Sequence, residues 1–432
     1  MSKQQIKEVS AYEVLDSRGN PTLATEITLS DDSCSISYIP SGASTGKYEA
    51  LEKRDLDPQR YGGKGVLNAV SKVNNEIKEL LIGLDPLDQK NIDLILCKAD
   101  GTENKTNFGA NSVLGVSLAN LKVSAKSQKI PLFKYLNLKL EELFDKEIEP
   151  KLPIPMMNVI NGGAHADNPL DFQEFMIQPK GFQTFKLATQ CGVEIFHQLK
   201  VLLNKKKLTT SVGDEGGFAP NLSTTEEVLD LIIQAIEVSG YRPGEEVMIC
   251  IDCASSELFQ NNKYLLKGIG ENFSSIELIN YLKNLKSKYP ISSIEDGLDE
   301  DDWNGWKILT EELGPTTQIV GDDIFATNPD RIKKGINHKV GNSVLIKINQ
   351  IGTIFEALVA FNLSVENGYK PIISHRSGET EDTSISDICV GLGVEQIKIG
   401  APSRTDRVAK YNRLLILEEK FNLRSALKND LR

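Results

Sequence analysis

The sequence predicts an α/β protein in which a large domain of repeated βα units, residues 141–432, follows a smaller α+β domain, residues 1–140. Two patterns support this prediction. Apolar and polar residues alternate over residues 1–60, as in strands that bury one face, and helical patterns follow. Farther along, short apolar runs end in a polar or charged residue and lead into amphipathic stretches.

The first domain should combine a small antiparallel sheet with helices. Its strands flank the turn sequence DSRGNP, residues 16–21. From residue 66 the apolar residues recur at the spacing of one helix face, and residues 110–125 repeat that pattern. A charged stretch with two prolines near its end, residues 141–155, is the best boundary candidate, and we place the boundary near residue 140.

Five apolar runs in the second domain have the βα pattern. They are residues 247–252, 291–295, 318–322, 343–347 and 371–375, and they end in Asp252, Glu295, Asp322, Lys347 and His375. Their spacing leaves room for a helix and two loops between successive strands. If these units close into a barrel, all five end groups meet at one mouth, where barrel enzymes keep their active sites. An open, doubly wound sheet is the alternative.

Composition and charge argue against several classes of protein. The net charge of −11 comes from acidic residues spread along the chain, which argues against direct nucleic-acid binding. No apolar run approaches the roughly 20 residues that span a bilayer, and no signal peptide is recognisable, so we expect a cytoplasmic protein without membrane insertion. The six cysteines are scattered, which favours reduced thiols. Cys250 and Cys253 have C-x-x-C spacing, but no second pair completes a zinc site.

Three of the strand ends suggest a metal site, and a fourth suggests a base. Asp252, Glu295 and Asp322 offer the carboxylate oxygens that magnesium prefers, although each could instead cap the following helix. Lys347 would point into the barrel, where lysine is rare without a function. We expect burial and a nearby cation to keep Lys347 neutral enough to accept a proton. Taken alone, an ion pair of Lys347 with Glu295 or Asp322 is the simpler interpretation.

Two loops have compositions that suit ligand binding. Residues 374–379, SHRSGE, place His375, Arg376 and Ser377 in one turn, where arginine can hold two phosphate oxygens, and a solvated polar loop is the alternative. Residues 39–47, IPSGASTGK, have the wrong spacing for a Walker loop. Their small residues favour a mobile lid that offers a serine oxygen to a second metal.

Three further side chains lie on turns with glycine or apolar neighbours. His165 follows a glycine pair, Glu174 lies in FQEF, and Glu215 lies in GDEGG. Crowded carboxyl groups share protons readily, which suits acid–base catalysis. Taken singly, each could be a turn residue that faces solvent. His197 and His338 are interpreted as structural.

Six motifs together resemble the enolase family. They are SRGNPT (17–22), PSGASTG (40–46), GDEGG (213–217), SIEDGL (293–298), KINQIG (347–352) and SHRSGET (374–380), and the match runs in order from about residue 17 to residue 412. The resemblance implies a modified, TIM-like (β/α)8 barrel for the second domain. It also implies magnesium-dependent, reversible dehydration of 2-phospho-D-glycerate to phosphoenolpyruvate in glycolysis and gluconeogenesis.

The resemblance further implies roles for individual residues. Lys347 would remove the proton from carbon 2, and Glu215, assisted by Glu174, would help the carbon-3 hydroxyl to leave as water. Two Mg²⁺ ions are implied, the second arriving with substrate, and the implied metal ligands are Asp252, Glu295, Asp322 and Ser44. The substrate pocket would comprise His165, Glu174, Lys347, His375, Arg376, Ser377 and Lys398, with His375 also among the catalytic residues.

Two rival functions stay open on the sequence alone. One is another enolase-superfamily enzyme that acts on a carboxylate without phosphate, against which the turn at residues 375–377 argues. The other is a non-catalytic binding or structural protein, against which the complete set of acid, base and ligand positions argues. The resemblance implies a homodimer, with an octamer as the alternative. A secondary presence at the cell surface or outside the cell, and an RNA-processing partner, are left open.

Overall fold

A small antiparallel sheet begins the chain in the computed structural model, which describes residues 4–42 and 46–426. Its strands are β1 (Ile6–Leu15), β2 (Pro21–Leu29) and β3 (Cys34–Tyr38), in that order across the sheet. The chain reverses between β1 and β2 at the predicted turn, where Gly19 has a φ of +74°. Glycine adopts this left-handed conformation without steric strain.

Helices pack against this sheet. They are α1 (Leu67–Lys72), a π-helical segment (Val73–Ile77), α2 (Lys78–Leu81), α3 (Gln89–Asp100), α4 (Ala110–Ser127) and α5 (Leu132–Phe144), with a 3-10 turn at Tyr61–Gly63. Helices therefore occur at both predicted places. Most of α4 is buried because Gly115 lets it approach Leu23 and Thr25 of β2 closely.

The rest of the described chain alternates strands and helices. In chain order these are β4 (Ile154–Asn161), a 3-10 turn (Gly163–His165), β5 (Glu174–Pro179), α6 (Phe185–Lys205), α7 (Thr225–Val238), β6 (Val247–Asp252), α8 (Ser255–Leu258), β7 (Phe259–Gln260), β8 (Lys263–Leu266), β9 (Glu271–Phe273), α9 (Ser275–Lys288), β10 (Ile291–Glu295), α10 (Trp303–Leu313), β11 (Gln318–Gly321), α11 (Pro329–His338), β12 (Ser343–Ile346), α12 (Ile348–Ile351), α13 (Ile354–Glu366), β13 (Lys370–Ser374), α14 (Ser384–Gly391), β14 (Gln396–Lys398) and α15 (Thr405–Phe421). The five apolar runs predicted to be strands correspond to β6, β10, β11, β12 and β13.

Eight of these strands close into a barrel in the order β4, β5, β6, β10, β11, β12, β13, β14, and β14 pairs with β4. The α/β barrel is therefore confirmed, and the open doubly wound sheet is wrong. The barrel is modified at one strand, because β5 runs antiparallel to both β4 and β6. In that register Glu174, the first residue of β5, lies opposite Asp252, the last residue of β6. The reversal thus brings Glu174 to the mouth formed by the carboxyl ends of the parallel strands.

The barrel interior contains an apolar cluster, to which six strands contribute one residue each: Met156, Met176, Cys250, Val320, Leu345 and Ile372. Cys250 and Cys253 are both buried, and all six cysteines are free thiols. No helix among the described residues is long and apolar enough to cross a bilayer. The predicted domain boundary near residue 140 falls within α5, ahead of the first barrel strand, and it stays a prediction.

Candidate active site

The barrel mouth brings the predicted residues into one cavity. The cavity lining includes His165, Glu174, Glu215, Asp252, Asp322, Lys347, His375, Arg376, Ser377 and Lys398. Glu295 is fully buried and bonds to Lys398, which does line the cavity. Ser44, the fourth predicted metal ligand, lies outside the described residues, as does the middle of the predicted lid loop.

The ammonium group of Lys398 lies at the centre of an acidic cluster. Its Nζ is 2.9 Å from Asp252 Oδ2, 2.8 Å from Glu295 Oε1 and 3.1 Å from Glu174 Oε1. Burial lowers the pKa of Lys398, but the three carboxylates outweigh burial and hold the pKa well above its ordinary value. Lys398 is therefore a permanent cation that neutralises part of the charge of the cluster.

Lys347 forms an ion pair with Asp322 at the ends of the neighbouring strands β12 and β11. Burial lowers the pKa of Lys347, but Asp322 outweighs it, so the pKa is raised and the side chain is an ammonium. Asp322 also accepts a hydrogen bond from Gln350 Nε2 at 2.9 Å, which fixes its other oxygen. The ion pair is the simpler of the two interpretations considered for Lys347. Acting as a base requires that this ion pair loosens.

The carboxylates at the mouth fit a divalent cation. Asp296, Asp322 and Asp323 offer oxygens that lie within 4.8 Å of one another. Asp252 and Glu295 are adjacent in the β6–β10 register, and the buried Glu295 Oε2 has no hydrogen-bond partner within the part of the chain that the structure describes. Hard cations such as Mg²⁺ bind oxygen ligands of this kind, and buried carboxylates need a counter-charge. These residues therefore suit Mg²⁺, with Asp296 and Asp323 as potential ligands that were not predicted.

Glu174 and Glu215 form a coupled carboxyl pair. Asn158 Nδ2 donates to Glu174 Oε2 at 3.2 Å and to Glu215 Oε2 at 2.9 Å, so one amide joins the two groups. Burial and the neighbouring Glu215 raise the pKa of Glu174 well above its ordinary value. Burial would also raise the pKa of Glu215, but the His375 ring, whose Nε2 faces this carboxylate, and the cations Arg407 and Lys398 outweigh burial and lower the pKa. Of the two groups, Glu174 is the one that holds a proton.

His165 extends this pair into a group of three. Its Nδ1 lies 3.6 Å from Glu215 Oε1 and 3.8 Å from Glu174 Oε1, and all three side chains are buried. Burial lowers the pKa of His165, which favours the neutral ring. Their ligand atoms are also close enough to share a metal ion. The group can therefore exchange a proton with a bound molecule or bind a cation.

The orientation of His375 is set by Arg407, a residue of α15 that is fully buried. The Arg407 guanidinium donates to His375 Nδ1 and also to the carbonyl oxygens of Arg376 and Ser377. Because Arg407 can only donate, Nδ1 must be the acceptor, and the proton of the neutral ring is on Nε2. His375 Nε2 lies 3.5 Å from Glu215 Oε1. Burial lowers the pKa of His375 well below its ordinary value, in keeping with a neutral ring.

Arg376 makes a two-pronged ion pair with Glu49. Its Nη1 is 2.8 Å from Glu49 Oε2, its Nη2 is 3.1 Å from Glu49 Oε1, and Nη1 also donates to Asn349 Oδ1 at 3.0 Å. Glu49 in turn accepts from the backbone amide of Gly46 at 3.0 Å. The guanidinium group that was predicted to hold phosphate therefore binds the Glu49 carboxylate. Its two donors have the geometry that an oxyanion requires.

Comparison with known protein families agrees with this geometry. Residues 6–136 match the family described as the enolase N-terminal domain, and residues 149–429 match the enolase C-terminal TIM barrel domain. The chain belongs to the enolase family. Enolases are metal-binding lyases that act on small molecules, and the acidic clusters at the barrel mouth of this enolase-family protein agree with that description.

Sequence reasoning missed several residues of the enolase site. Asp296 and Asp323 each follow a predicted ligand directly, so the doubled acids at two strand ends were an available signal. Glu49 and Arg407 carried no such signal, because each lies in an ordinary charged stretch and reaches the site only through the tertiary fold. His197 and His338, which were interpreted as structural, do not line the cavity.

Proposed function

We propose that this protein catalyses the reversible dehydration of 2-phospho-D-glycerate to phosphoenolpyruvate and water, as in glycolysis and gluconeogenesis. One observation carries the proposal: Lys347, which follows β12, Glu174, which begins β5, and Glu215, which lies in a turn between α6 and α7, line a single cavity. Loss of water across two carbons needs a base at one carbon and an acid at the hydroxyl of the next. The turn at residues 375–377 lines the same cavity and supports a phosphorylated substrate.

The side chains divide the reaction between them. Lys347, in its neutral form, accepts the proton of carbon 2. The proton held by Glu174 passes to Glu215, which delivers it to the carbon-3 hydroxyl. The C2–H and C3–O bonds break, the C2=C3 bond forms and water leaves, so atoms and charge balance. Lys347 would act as a base if Asp322 turned from the ammonium towards a bound cation, because the carboxylate would then no longer raise the pKa of Lys347.

The remaining side chains bind and orient the substrate. Arg376 and Ser377 hold the phosphate, for which Glu49 must leave the guanidinium fork. His165, His375 and Lys398 complete the pocket. We place one Mg²⁺ on Asp252, Glu295 and Asp322, and a second with substrate and Ser44. When bound, the metal supplies positive charge that stabilises the carboxylate after proton loss, the general pattern for enolase-superfamily sites.

An absorbance assay tests the reaction. Purified protein is incubated with 2-phosphoglycerate and Mg²⁺, and the ultraviolet absorbance of the enol double bond is followed. We expect the absorbance to rise, and we expect EDTA to abolish the rise because the carboxylates then lack their cation. Folded protein that gives no rise with Mg²⁺ contradicts the proposal, and activity on a carboxylate without phosphate would favour the other superfamily enzymes.

The assignment of the base has its own test. Lys347→Ala should still bind Mg²⁺ and substrate but lose exchange of the carbon-2 proton with solvent deuterium, measured by NMR. Lys288→Ala, which changes an exposed lysine on α9, serves as the matched control and should exchange normally. Normal exchange in Lys347→Ala would assign the base to another residue. The cytoplasmic location and the homodimer stay predictions.

A further inference from the structure

A second cavity lies at the opposite end of the barrel from the active site. It has a volume of about 460 Å³ and is lined by the first residues of β4, β11, β13 and β14, whereas the active site uses the last residues of strands. None of the described residues lines both cavities. The apolar cluster in the barrel interior lies between the two ends. We call this second cavity the floor cavity. A ligand bound in it would be separate from the dehydration chemistry.

The floor cavity is positively charged in a protein whose net charge is −11. Lys180, Lys286 and Lys370 line it, and none of them pairs with a carboxylate of the described chain. The one carboxylate in the lining, Glu395, is 2.9 Å from Lys151 and is neutralised by it. Burial lowers the pKa of Lys286, and no nearby acid opposes that effect. An anion in the cavity would supply the missing counter-charge.

The neutral groups of the lining add hydrogen-bonding capacity. Gln178 and Thr317 are 3% and 4% exposed, and Gln178 Nε2 and Thr317 Oγ1 have no hydrogen-bond partner among the described residues. Buried polar atoms of this kind are uncommon and point to a missing partner. The walls are held in place, because Asn342 Nδ2 donates to Gly314 O at 3.2 Å and to Thr317 O at 3.0 Å. The cavity is thus preorganised rather than a loose surface depression.

Helix polarity accounts for only one of the three lysines. Lys286 lies in the last turn of α9, where a cation is favoured by the helix dipole. Lys180 directly follows β5 and Lys370 begins β13, so neither has that explanation. Three ammonium groups around one cavity suit a phosphate group better than a single planar carboxylate, which an arginine fork would hold. The cavity volume also falls in the range of small-molecule sites.

We propose that the floor cavity binds a small phosphorylated anion through Lys180, Lys286 and Lys370. The ligand is a low-molecular-weight organic phosphate or pyrophosphate, and its site is independent of the active site. Removal of the three charges should therefore weaken binding there without changing the dehydration reaction.

The test compares two triple variants that change net charge equally. Lys180→Gln/Lys286→Gln/Lys370→Gln alters the floor cavity, and Lys200→Gln/Lys205→Gln/Lys206→Gln alters exposed lysines of α6 and the residue that follows it. Both carry Arg376→Gln so that the active-site fork does not bind the probe. Inorganic pyrophosphate is titrated calorimetrically without Mg²⁺. We expect the cavity variant to bind at least roughly tenfold more weakly than the control, because it loses three charged hydrogen-bond donors to the probe.

Two further measurements locate the site. A crystal of the otherwise unmodified protein soaked in pyrophosphate should show the ligand among the three lysines. If the cavity triple variant does not fold, the single variant Lys370→Gln, which changes an exposed position, replaces it and should still weaken binding severalfold. Equal binding by cavity and control variants, or pyrophosphate bound only elsewhere, would overturn the proposal. When Arg376 is left unchanged, the cavity triple variant should keep the dehydration rate of the wild type.

Discussion

Single buried cations organise the candidate active site. Lys398 touches three carboxylates, and Lys347 neutralises Asp322. Because an unpaired buried charge is strongly unfavourable, these lysines stabilise the barrel mouth by neutralising part of the charge of its clustered carboxylates. The same pairs leave carboxylate oxygens available to a metal. Arg407 differs from both lysines, since it pairs with Asp406 at 2.7 Å and also donates to neutral acceptors, His375 Nδ1 and a backbone carbonyl oxygen, that it orients.

Arg407 is a positioning residue for His375, and the variant Arg407→Lys tests this role. Arg407→Lys keeps the charge but loses the fork that holds His375 Nδ1 and two carbonyl oxygens together. We expect kcat of the dehydration to fall roughly tenfold or more, with a smaller change in KM, since a charged hydrogen bond contributes about 1.5–3 kcal/mol. The ¹⁵N shifts of His375 should show a mixture of tautomers. An unchanged tautomer together with a lowered melting temperature would mean that Arg407 is only structural.

At the scale of elements, the direction of a strand and the close packing of a helix on a sheet decide which side chains meet. The reversed strand β5 places Glu174 opposite Asp252, which a parallel strand of the same sequence would have left at the other end of the barrel. In the first domain, α4 lies against β2 at Gly115, whose carbonyl accepts from Ser37 Oγ at 2.8 Å. A Cβ at Gly115 would collide with Thr25 Oγ1 and touch Leu23.

The variant Gly115→Ala should therefore have two opposing effects on stability: a gain in helix propensity and a loss from overpacking. Alanine gains about 1 kcal/mol over glycine within a helix, whereas overpacking a buried contact loses about 1–3 kcal/mol. We expect a net destabilisation of up to about 2 kcal/mol, measured by urea unfolding. The double variant with Thr25→Ala removes the colliding oxygen, so a double-mutant cycle should show a favourable coupling between the two sites. Additive effects would indicate that α4 shifts to accommodate the new methyl group.

At the scale of the whole molecule, the sequence was informative where one local pattern determines position. Apolar runs that end in a polar residue must place that residue at the barrel mouth, which is why Asp252, Glu295, Asp322, Lys347 and His375 could be predicted together. The direction of β5 could not be predicted from the sequence, because the strand buries the same side chains in either direction. Contacts such as Glu49 with Arg376 span most of the chain and depend on how the two domains pack.

That packing includes a buried acid. Asp93 of α3 accepts from the backbone amide of Phe355 in α13 at 2.9 Å and from Gln89 Nε2 at 2.9 Å. It is 1% exposed, and burial raises its pKa from 3.8 to about 7. The first domain is thus joined to the barrel through a carboxyl group that is protonated more readily in the folded protein than in the unfolded chain.

The pH dependence of stability should reveal this group. The folded protein binds the proton of Asp93 more tightly than the unfolded chain does. The contribution of Asp93 to the free energy of unfolding is therefore greatest below the unfolded pKa of 3.8 and is lost as pH rises towards 7. Asp93→Asn cannot ionise but can still accept from Phe355, so the comparison isolates the ionisation. Between about pH 5 and pH 8 the wild type should lose roughly 3 kcal/mol of unfolding free energy relative to Asp93→Asn, measured by urea unfolding at each pH. Parallel curves would mean that Asp93 ionises in the folded protein as easily as in the unfolded chain, and that the interface admits water around it.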